Sequence, residues 1–252
     1  MQEPILVTGG TGTLGRVVMR ELLDAGHDVR VLSRRSSPEQ SPFEWVTGDL
    51  RRGTGVDAAV SGAAAIVHCA TTLRRADVAS ARKLIDAARR HGNPHIVYIS
   101  IVGVDRVPLP YYRAKLEVER MLAGSGLPWT ILRTTQFHDL IARIASLQAR
   151  SPVNLTLGGA AFQPIDVGEV AARLAELAVD EPAGRVPDMG GPEIRSHRDL
   201  TREYLSATGR RRLVLPVRVP GAISAAFRRG GHLAPERAIG RVTFGDYLAA
   251  GA

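Results

Sequence analysis

The stretch Thr8-Gly9-Gly10-Thr11-Gly12-Thr13-Leu14-Gly15 constrains this chain more than any other. Gly9, Gly12 and Gly15 recur every third residue between an apolar run, Pro4 to Val7, and an amphipathic segment reaching Ala25. The pattern predicts a strand, a tight turn and a helix. If a dinucleotide lies against it, Gly9 permits the turn, Gly12 lets the backbone approach a pyrophosphate, and Gly15 lets the helix pack close to the sheet. Amide groups at the helix start then face the phosphates, helped by the helix dipole. The eight residues Thr8, Gly9, Gly10, Thr11, Gly12, Thr13, Leu14 and Gly15 are therefore the first cofactor-binding candidates. Without a ligand the same triplet is only a glycine-rich turn, but its place between strand and helix favours the dinucleotide.

Beyond the turn, apolar runs alternate with helical periodicity. Strands are predicted over Ile5 to Thr8, Asp28 to Leu32, Phe43 to Val46, Ala65 to Cys69, His95 to Ser100 and Trp129 to Arg133. Helices are predicted over Thr13 to Ala25, Ala76 to His91, Tyr111 to Gly124 and Phe137 to Arg150, with a short one near Val56 to Ser61. This is the alternation of an α/β fold with a doubly wound parallel sheet, whose ligand crevice lies at the C-terminal ends of the strands. At 252 residues the chain can hold a dinucleotide-binding core, 1–150, and a small C-terminal substrate lobe, 151–252, within one compact unit.

Those ends carry the other candidates. The second strand runs into Ser33-Arg34-Arg35, where an NAD site places an acid on the ribose hydroxyls; two arginines in its stead suit the 2′-phosphate of NADP(H). The alternative is a basic surface loop, which Ser36, Ser37 and Pro38 also suit. Asp49 and Leu50 follow the third strand, and Asp49 either accepts from an adenine amine or caps the turn leading to Arg51. Ala70, Thr71 and Thr72 follow the fourth, where the backbone should pass the cofactor, whereas His68 reads as a strand residue. Tyr111 and Lys115 stand one helical turn apart behind Pro110. A phenol with an ordinary pKa of about 10 is a weak acid, and a nearby ammonium would stabilise its phenolate. Lysine is rare in this chain, Lys83 and Lys115 among 33 basic residues, which sets Lys115 apart; the alternative is a solvent-facing helical pair.

The glycine motif with Tyr111-x-x-x-Lys115 resembles the short-chain dehydrogenase/reductase superfamily. Asp166-Val167-Gly168-Glu169-Val170-Ala171 and the segment Ser125 to Arg133 are similar to its NmrA-like atypical branch. The resemblance implies NADP binding on a Rossmann domain, with Tyr111, Lys115 and Ser100 catalytic and Ser100 and Lys115 also touching the cofactor. The chain departs from the pattern at Val102, where extended members place a Ser or Thr that bonds the substrate carbonyl, so Ser100 serves from an earlier position or the hydroxyl is absent. It departs again at Arg133 to His138, where relatives have Arg-Pro-Gly; here Gln136, Phe137 and His138 become substrate candidates, for the nicotinamide amide, a flat substrate and a proton respectively. His138 at a helix start would otherwise face solvent.

The expected function is an NADP-dependent oxidoreductase acting on a carbonyl or quinone-type small molecule, an aromatic or polyketide-like ketone included. An NADP(H)-sensing regulator without catalysis is the alternative, and a nucleotide-sugar epimerase or dehydratase a weaker one. No run reaches the length of a membrane span and the first strand starts by Ile5, so the chain is expected to be cytoplasmic, with no membrane partner and no signal peptide. Cys69 is the sole cysteine and no cluster has metal spacing, so neither an intrachain disulfide nor a metal is expected. The span Arg195 to Arg241 has eleven arginines against three acids, an excess equal to the whole net charge of +8. It reads as solvated helix faces rather than a site for an acidic substrate or a nucleic-acid surface, because neither aromatic interleaving nor a reading-helix motif accompanies it. Asp166 with Glu169 and Ser196 with Asp199 have capping spacing, and Val214 to Ala226 reads as core by default, with a substrate pocket or oligomer contact as alternatives.

Overall fold

The computed structural model describes residues 3–37, 41–73, 75–148 and 151–251. In chain order the elements are β1 Ile5–Thr8, α1 Thr13–Asp24, β2 Val29–Ser33, β3 Glu44–Thr47, α2 Val56–Val60, β4 Ala65–His68, α3 Ala76–Arg90, β5 His95–Ile101, α4 Pro110–Ala123, β6 Trp129–Thr134 and α5 His138–Leu147. There follow β7 Val153–Leu157, β8 Ala161–Phe162, α6 Val167–Val179, β9 Gly184–Arg185, β10 Arg195–Ser196, α7 His197–Ala207, β11 Leu213–Val217, α8 Ala222–Arg228 and α9 Phe244–Ala249. The elements of the first half lie within a residue or two of the sequence expectations. The helix expected from Phe137 begins at His138, with Phe137 as its N-cap, and its expected end at Arg150 lies outside the described residues.

Seven strands form a sheet in the order β3-β2-β1-β4-β5-β6-β9. β1 pairs in parallel with both β2 and β4, so the strand order reverses there, and a ligand crevice opens at such a reversal. β1 and β4 are buried at every residue, as strands covered on both faces should be.

Contacts divide the chain into two interleaved units rather than at one point. Unit 1 comprises Met1–Ser100, Arg113–Leu132 and Val170–Val186; unit 2 comprises Ile101–Tyr112, Arg133–Glu169 and Pro187–Ala252. The expected division after residue 150 is a single cut, at a residue outside the description. The core of unit 1 joins Leu6, Ile66 and Ile96 from the sheet to Leu84 and Leu122 from helices. That of unit 2 gathers Ile141, Phe162, Leu200 and Phe244.

Two expectations for the C-terminal third need correction. Asp166 Oδ1 accepts from Gly168 and Glu169 N–H, but Glu169 does not return the bond as a capping box requires; its Oε1 accepts from Arg241 N–H at 2.6 Å. Val214 to Ala226 is not core: Val214, Ser224 and Ala226 are buried, while Leu213, Leu215, Val217, Val219 and Ile223 are exposed. Ser196 caps α7 as its spacing predicts, accepting from Asp199 N–H at 3.1 Å.

Candidate functional site

In unit 1 the turn after β1 is assembled from backbone. Gly9 has φ +76°, and a Cβ there would come within 2.7 Å of the Ala70 nitrogen, so the chain leaving β1 presses on the chain leaving β4. Gly12 N–H closes the turn on the Gly9 carbonyl at 2.9 Å. Gly15 does not serve by letting α1 approach the sheet, as expected; a Cβ there would strike the Gly9 carbonyl, so this glycine lets the helix sit on its own turn. Gly12 differs from both. A Cβ on it would meet only the Gly9 oxygen, at 3.2 Å, and its φ of −84° suits any residue. No side chain caps α1 and no acid stands in its first turn. An open glycine before an uncapped, dipole-positive helix start is a cradle that fits a pyrophosphate.

Around this turn stand the other candidates of unit 1. Ser33 is buried and its hydroxyl accepts from Arg35 N–H at 3.2 Å, while the side chains of Arg34 and Arg35 are exposed. Trp45 Nε1 donates to the Arg35 carbonyl at 2.8 Å, fixing the start of the basic loop; Pro38 lies outside the described residues. Asp49 is a turn cap, its Oδ1 accepting from Arg51 N–H at 2.8 Å, and Leu50 packs on the core.

The segment after β4 is tied by a residue that sequence reading missed. Asp77, in the first turn of α3, accepts from the Thr71 and Thr72 hydroxyls, each at 2.6 Å, and from Thr72 N–H at 2.7 Å. Both threonine side chains are thus turned towards α3, leaving backbone as what this segment offers a ligand. An acid at a helix start a few residues after a Thr pair was the available signal. His68 is a strand residue, its Nδ1 2.7 Å from the Thr8 hydroxyl and its ring stacked on Tyr98; burial pulls its pKa down to about 3, so it is neutral. Burial pushes the Cys69 thiol up to about 12, so it is held as the neutral thiol near neutral pH.

Lys115 is not half of a solvent-facing pair. It is 5% exposed, its Nζ donates to the Ile99 carbonyl at 2.8 Å, and the ammonium lies 4.5 Å from the Tyr98 ring centre. Burial lowers its pKa to about 8 against the opposing pull of Asp77. Next to that carbonyl along β5, the Ser100 hydroxyl is buried with no hydrogen-bond partner. An orphaned buried donor of this kind is a feature a bound polar group would relieve.

In unit 2, Tyr111 follows Pro110 in the first turn of α4 and is half-buried. Its neighbour Tyr112 is buried and accepts from Gln136 Nε2 at 3.2 Å; burial pushes its phenol up to about 12. Gln136 Oε1 is buried without a partner. Val102 is wholly buried and cannot supply the missing hydroxyl. Of the two readings of His138 the solvent-facing one needs correction: the residue has no exposed surface, its Nε2 lies 3.1 Å from the Val242 carbonyl, and its ring packs against Phe244 and Tyr247. Burial lowers its pKa. It is a buried side chain that does not face solvent, and its Nδ1 has no hydrogen-bond partner. No group of His, Cys, Asp or Glu with metal-binding geometry occurs among the described residues.

Residues 9–177 match the family described as NAD(P)H-binding. A (4-alkanoyl-5-oxo-2,5-dihydrofuran-3-yl)methyl phosphate reductase of Streptomyces griseus is 30% identical over 215 residues, which are 82% of this chain and 74% of that protein. A photosystem II assembly factor of Trieres chinensis is 29% identical over 202 residues, 74% of this chain and 63% of that protein, so the chain spans less than two thirds of this relative. The fold is that of the Escherichia coli NADPH-dependent quinone oxidoreductase solved with NADPH, at a TM-score of 0.85, 18% identity and coverage of 98% of this chain and 99% of that one.

Proposed function

This chain belongs to the NAD(P)H-binding family, and we propose that within it the protein is a reductase that prefers NADP(H) to NAD(H) and reduces a quinone or other conjugated carbonyl. The observation that carries the reading is the depth of Lys115. An ammonium held on a backbone carbonyl with 5% exposure is costly to bury, and a position of this kind suits a group that acts on a bound hydroxyl or an adjacent phenolate. The glycine turn and the open start of α1 would hold the pyrophosphate, with Arg34 and Arg35 on the 2′-phosphate. Asp49 and Leu50 would border the adenine, and the backbone of Ala70, Thr71 and Thr72 would pass the ribose. When bound, NADPH supplies a hydride to the substrate carbon. Tyr111 donates the proton that turns the carbonyl oxygen into a hydroxyl, and Lys115, one turn further along the same helix, stabilises the phenolate left on Tyr111. Gln136 and Phe137 are the proposed substrate contacts in unit 2. The reductase reading is supported by the name of the Streptomyces griseus relative, and the quinone class by that of the structural neighbour, a quinone oxidoreductase.

NADPH oxidation against a panel of quinones and ketones tests this, with Tyr111→Phe beside the wild type. Turnover should fall about a hundred- to ten-thousand-fold, with the NADPH dissociation constant nearly unchanged. A variant within about threefold of wild type would rule out Tyr111 as the acid. A second reading, an NADP(H) sensor without turnover, is favoured by Val102 in the hydroxyl position. Tight NADPH binding by calorimetry with no oxidation across the panel would establish it in place of the reductase.

A further inference from the structure

We propose that the two-stranded sheet of β7 and β11 is a docking surface for anionic lipid headgroups. In this sheet β7 buries the polar Asn154 and Thr156 and β11 buries Val214, while Leu155 of β7 and Leu213, Leu215 and Val217 of β11 are exposed, at 50%, 58%, 41% and 40% of their surface. Leu155 and Leu215 are register partners and so stand side by side on one face, with Leu213 and Val217 two residues either way along β11. Val219 extends the exposed apolar row past the strand. A contiguous outward patch of this kind marks an interaction site.

The charge around the patch identifies its occupant. From Tyr204 to Pro235 the chain has six arginines and no carboxylate, and Arg210, Arg211, Arg212 and Arg218 are exposed immediately before and after β11. Exposed Leu and Val flanked by Arg are the two components of interfacial membrane binding, apolar side chains entering the headgroup boundary and cations pairing with phosphates. A second copy meeting this face about a twofold axis would bring these arginines against one another, an arrangement disfavoured by like-charge repulsion. Strand addition is hindered as well. Gln148 occupies the free edge of β7, accepting from Leu155 N–H at 2.7 Å and donating to its carbonyl at 3.0 Å, and Pro216 removes a donor from β11. The absence of a helix able to span a bilayer among the described residues does not bear on a surface of this kind. The proposal is independent of the reductase reading.

The test is co-sedimentation of the full chain with vesicles of phosphatidylcholine alone and with equimolar phosphatidylcholine and phosphatidylglycerol. The wild type should partition onto the anionic vesicles only, and should be released as salt shortens the Debye length from about 10 Å at 0.1 M to about 3 Å at 1 M. Arg211→Glu with Arg212→Glu should reduce partitioning by on the order of tenfold or more. Leu215→Asp should reduce it too, while circular dichroism and the melting temperature stay as in wild type because all three side chains are exposed. Failure to bind either vesicle, or equal binding to both, would overturn the proposal. So would a dimer by light scattering that Leu215→Asp makes monomeric, which would assign the face to a second copy. Binding to poly-glutamate as tight as to the anionic vesicles and indifferent to Leu215→Asp would also overturn it, in favour of an acidic protein.

Discussion

Two helix starts in this chain are built to opposite specifications. α9 begins with a complete capping box: the Thr243 hydroxyl accepts from Asp246 N–H at 3.1 Å, and the Asp246 carboxylate accepts from Thr243 N–H at 3.0 Å. α1 begins on Gly12 with no side-chain cap and no first-turn acid, although it is twice as long, 12 residues against 6. The first four N–H groups of any helix lack intrahelical partners; α2, α3, α5 and α8 also start without a side-chain cap, so what sets α1 apart is its place directly after the glycine turn of β1. The short helix completes its own termination; the long one starts open, at the place where the pyrophosphate of the cofactor is proposed to lie.

The largest effect should come from filling the turn itself. Gly15→Ala drives a methyl into the Gly9 carbonyl, and Gly9→Ala combines φ +76° with a contact at 2.7 Å to the Ala70 backbone. Backbone cannot swing aside as a side chain can, so each variant should lose more than about 2 kcal/mol of stability and all measurable NADPH binding. Gly26→Ala is the control. Its φ is +82° but nothing lies within 4 Å, so urea unfolding should register only about 1 kcal/mol. Equal losses at Gly15 and Gly26 would mean that the turn yields and that its packing is not what demands glycine.

A change at Gly12 should separate stability from binding. Gly12 is extended, and aspartate is among the best N-caps, so Gly12→Asp should alter unfolding free energy by less than about 1 kcal/mol in either direction. The same carboxylate stands where the pyrophosphate is proposed, and NADPH affinity by calorimetry should fall about a hundredfold or more. Undiminished affinity would break the contrast between the two helix starts, since α1 would then be uncapped for no ligand.

Lys115 sharpens the contrast through pH. Its folded pKa of about 8 lies below the ordinary 10.5, so below pH 8 both states carry the charge and the folded state bears the full cost of burying it. Between pH 8 and 10.5 the folded state has released a proton that the unfolded state keeps, and stability from this group rises, by on the order of 3 kcal/mol in total. Cys69 and Tyr112, both pushed up to about 12, act in the opposite sense at high pH, so the informative quantity is the difference between wild type and Lys115→Met. That difference should move towards wild type as pH rises from 7 to 10. A flat difference would mean that water reaches the ammonium.

These outcomes bear on what the sequence could disclose. The β1 turn was legible because it is local: strand, glycines and helix are consecutive, and only the task of Gly15 was misplaced, its neighbour being the Gly9 carbonyl rather than the sheet. β1 and β4 were legible because strands covered on both faces are continuous apolar runs. β7 and β11 were not, since Asn154 and Thr156 point inward and leucines outward, against the rule by which strands are recognised. Tyr111 and Lys115 stood out by spacing and by the rarity of lysine. The burial of Lys115 rests on Ile99, 16 residues away, and the ties of Asp77 on a loop whose threonines read as cofactor contacts. The burial of His138 was hidden for the same reason: its helix-start position allowed a solvent-facing reading beside that of a substrate contact, but the residues that enclose it, Phe244 and Tyr247, come from α9, about a hundred positions later.

The smallest expected effect lies at the other helix start. Thr243→Ala removes the hydroxyl that accepts from Asp246 N–H and leaves the Asp246 carboxylate with one partner in place of two, because the Thr243 hydroxyl also donates to it at 2.6 Å. Both groups are at the surface, so water replaces much of what is lost, and N-cap removals of this kind cost about 1 kcal/mol. The pKa of Asp246 is held below its ordinary value first by the bond from the Thr243 hydroxyl. In the variant it should move back up towards the ordinary carboxylate range, a shift that carbon-13 titration of the side chain would follow. The sign of the linkage is then set. A carboxylate with a depressed folded pKa contributes stability above its ordinary pKa and loses it as pH falls through the folded value, so the wild-type advantage should be present at pH 7 and shrink in acid. NADPH affinity should not change, since α9 terminates itself. If Thr243→Ala weakened cofactor binding as Gly12→Asp is expected to, the two helix starts would not be independent, and the self-capped end would have to be counted with the site.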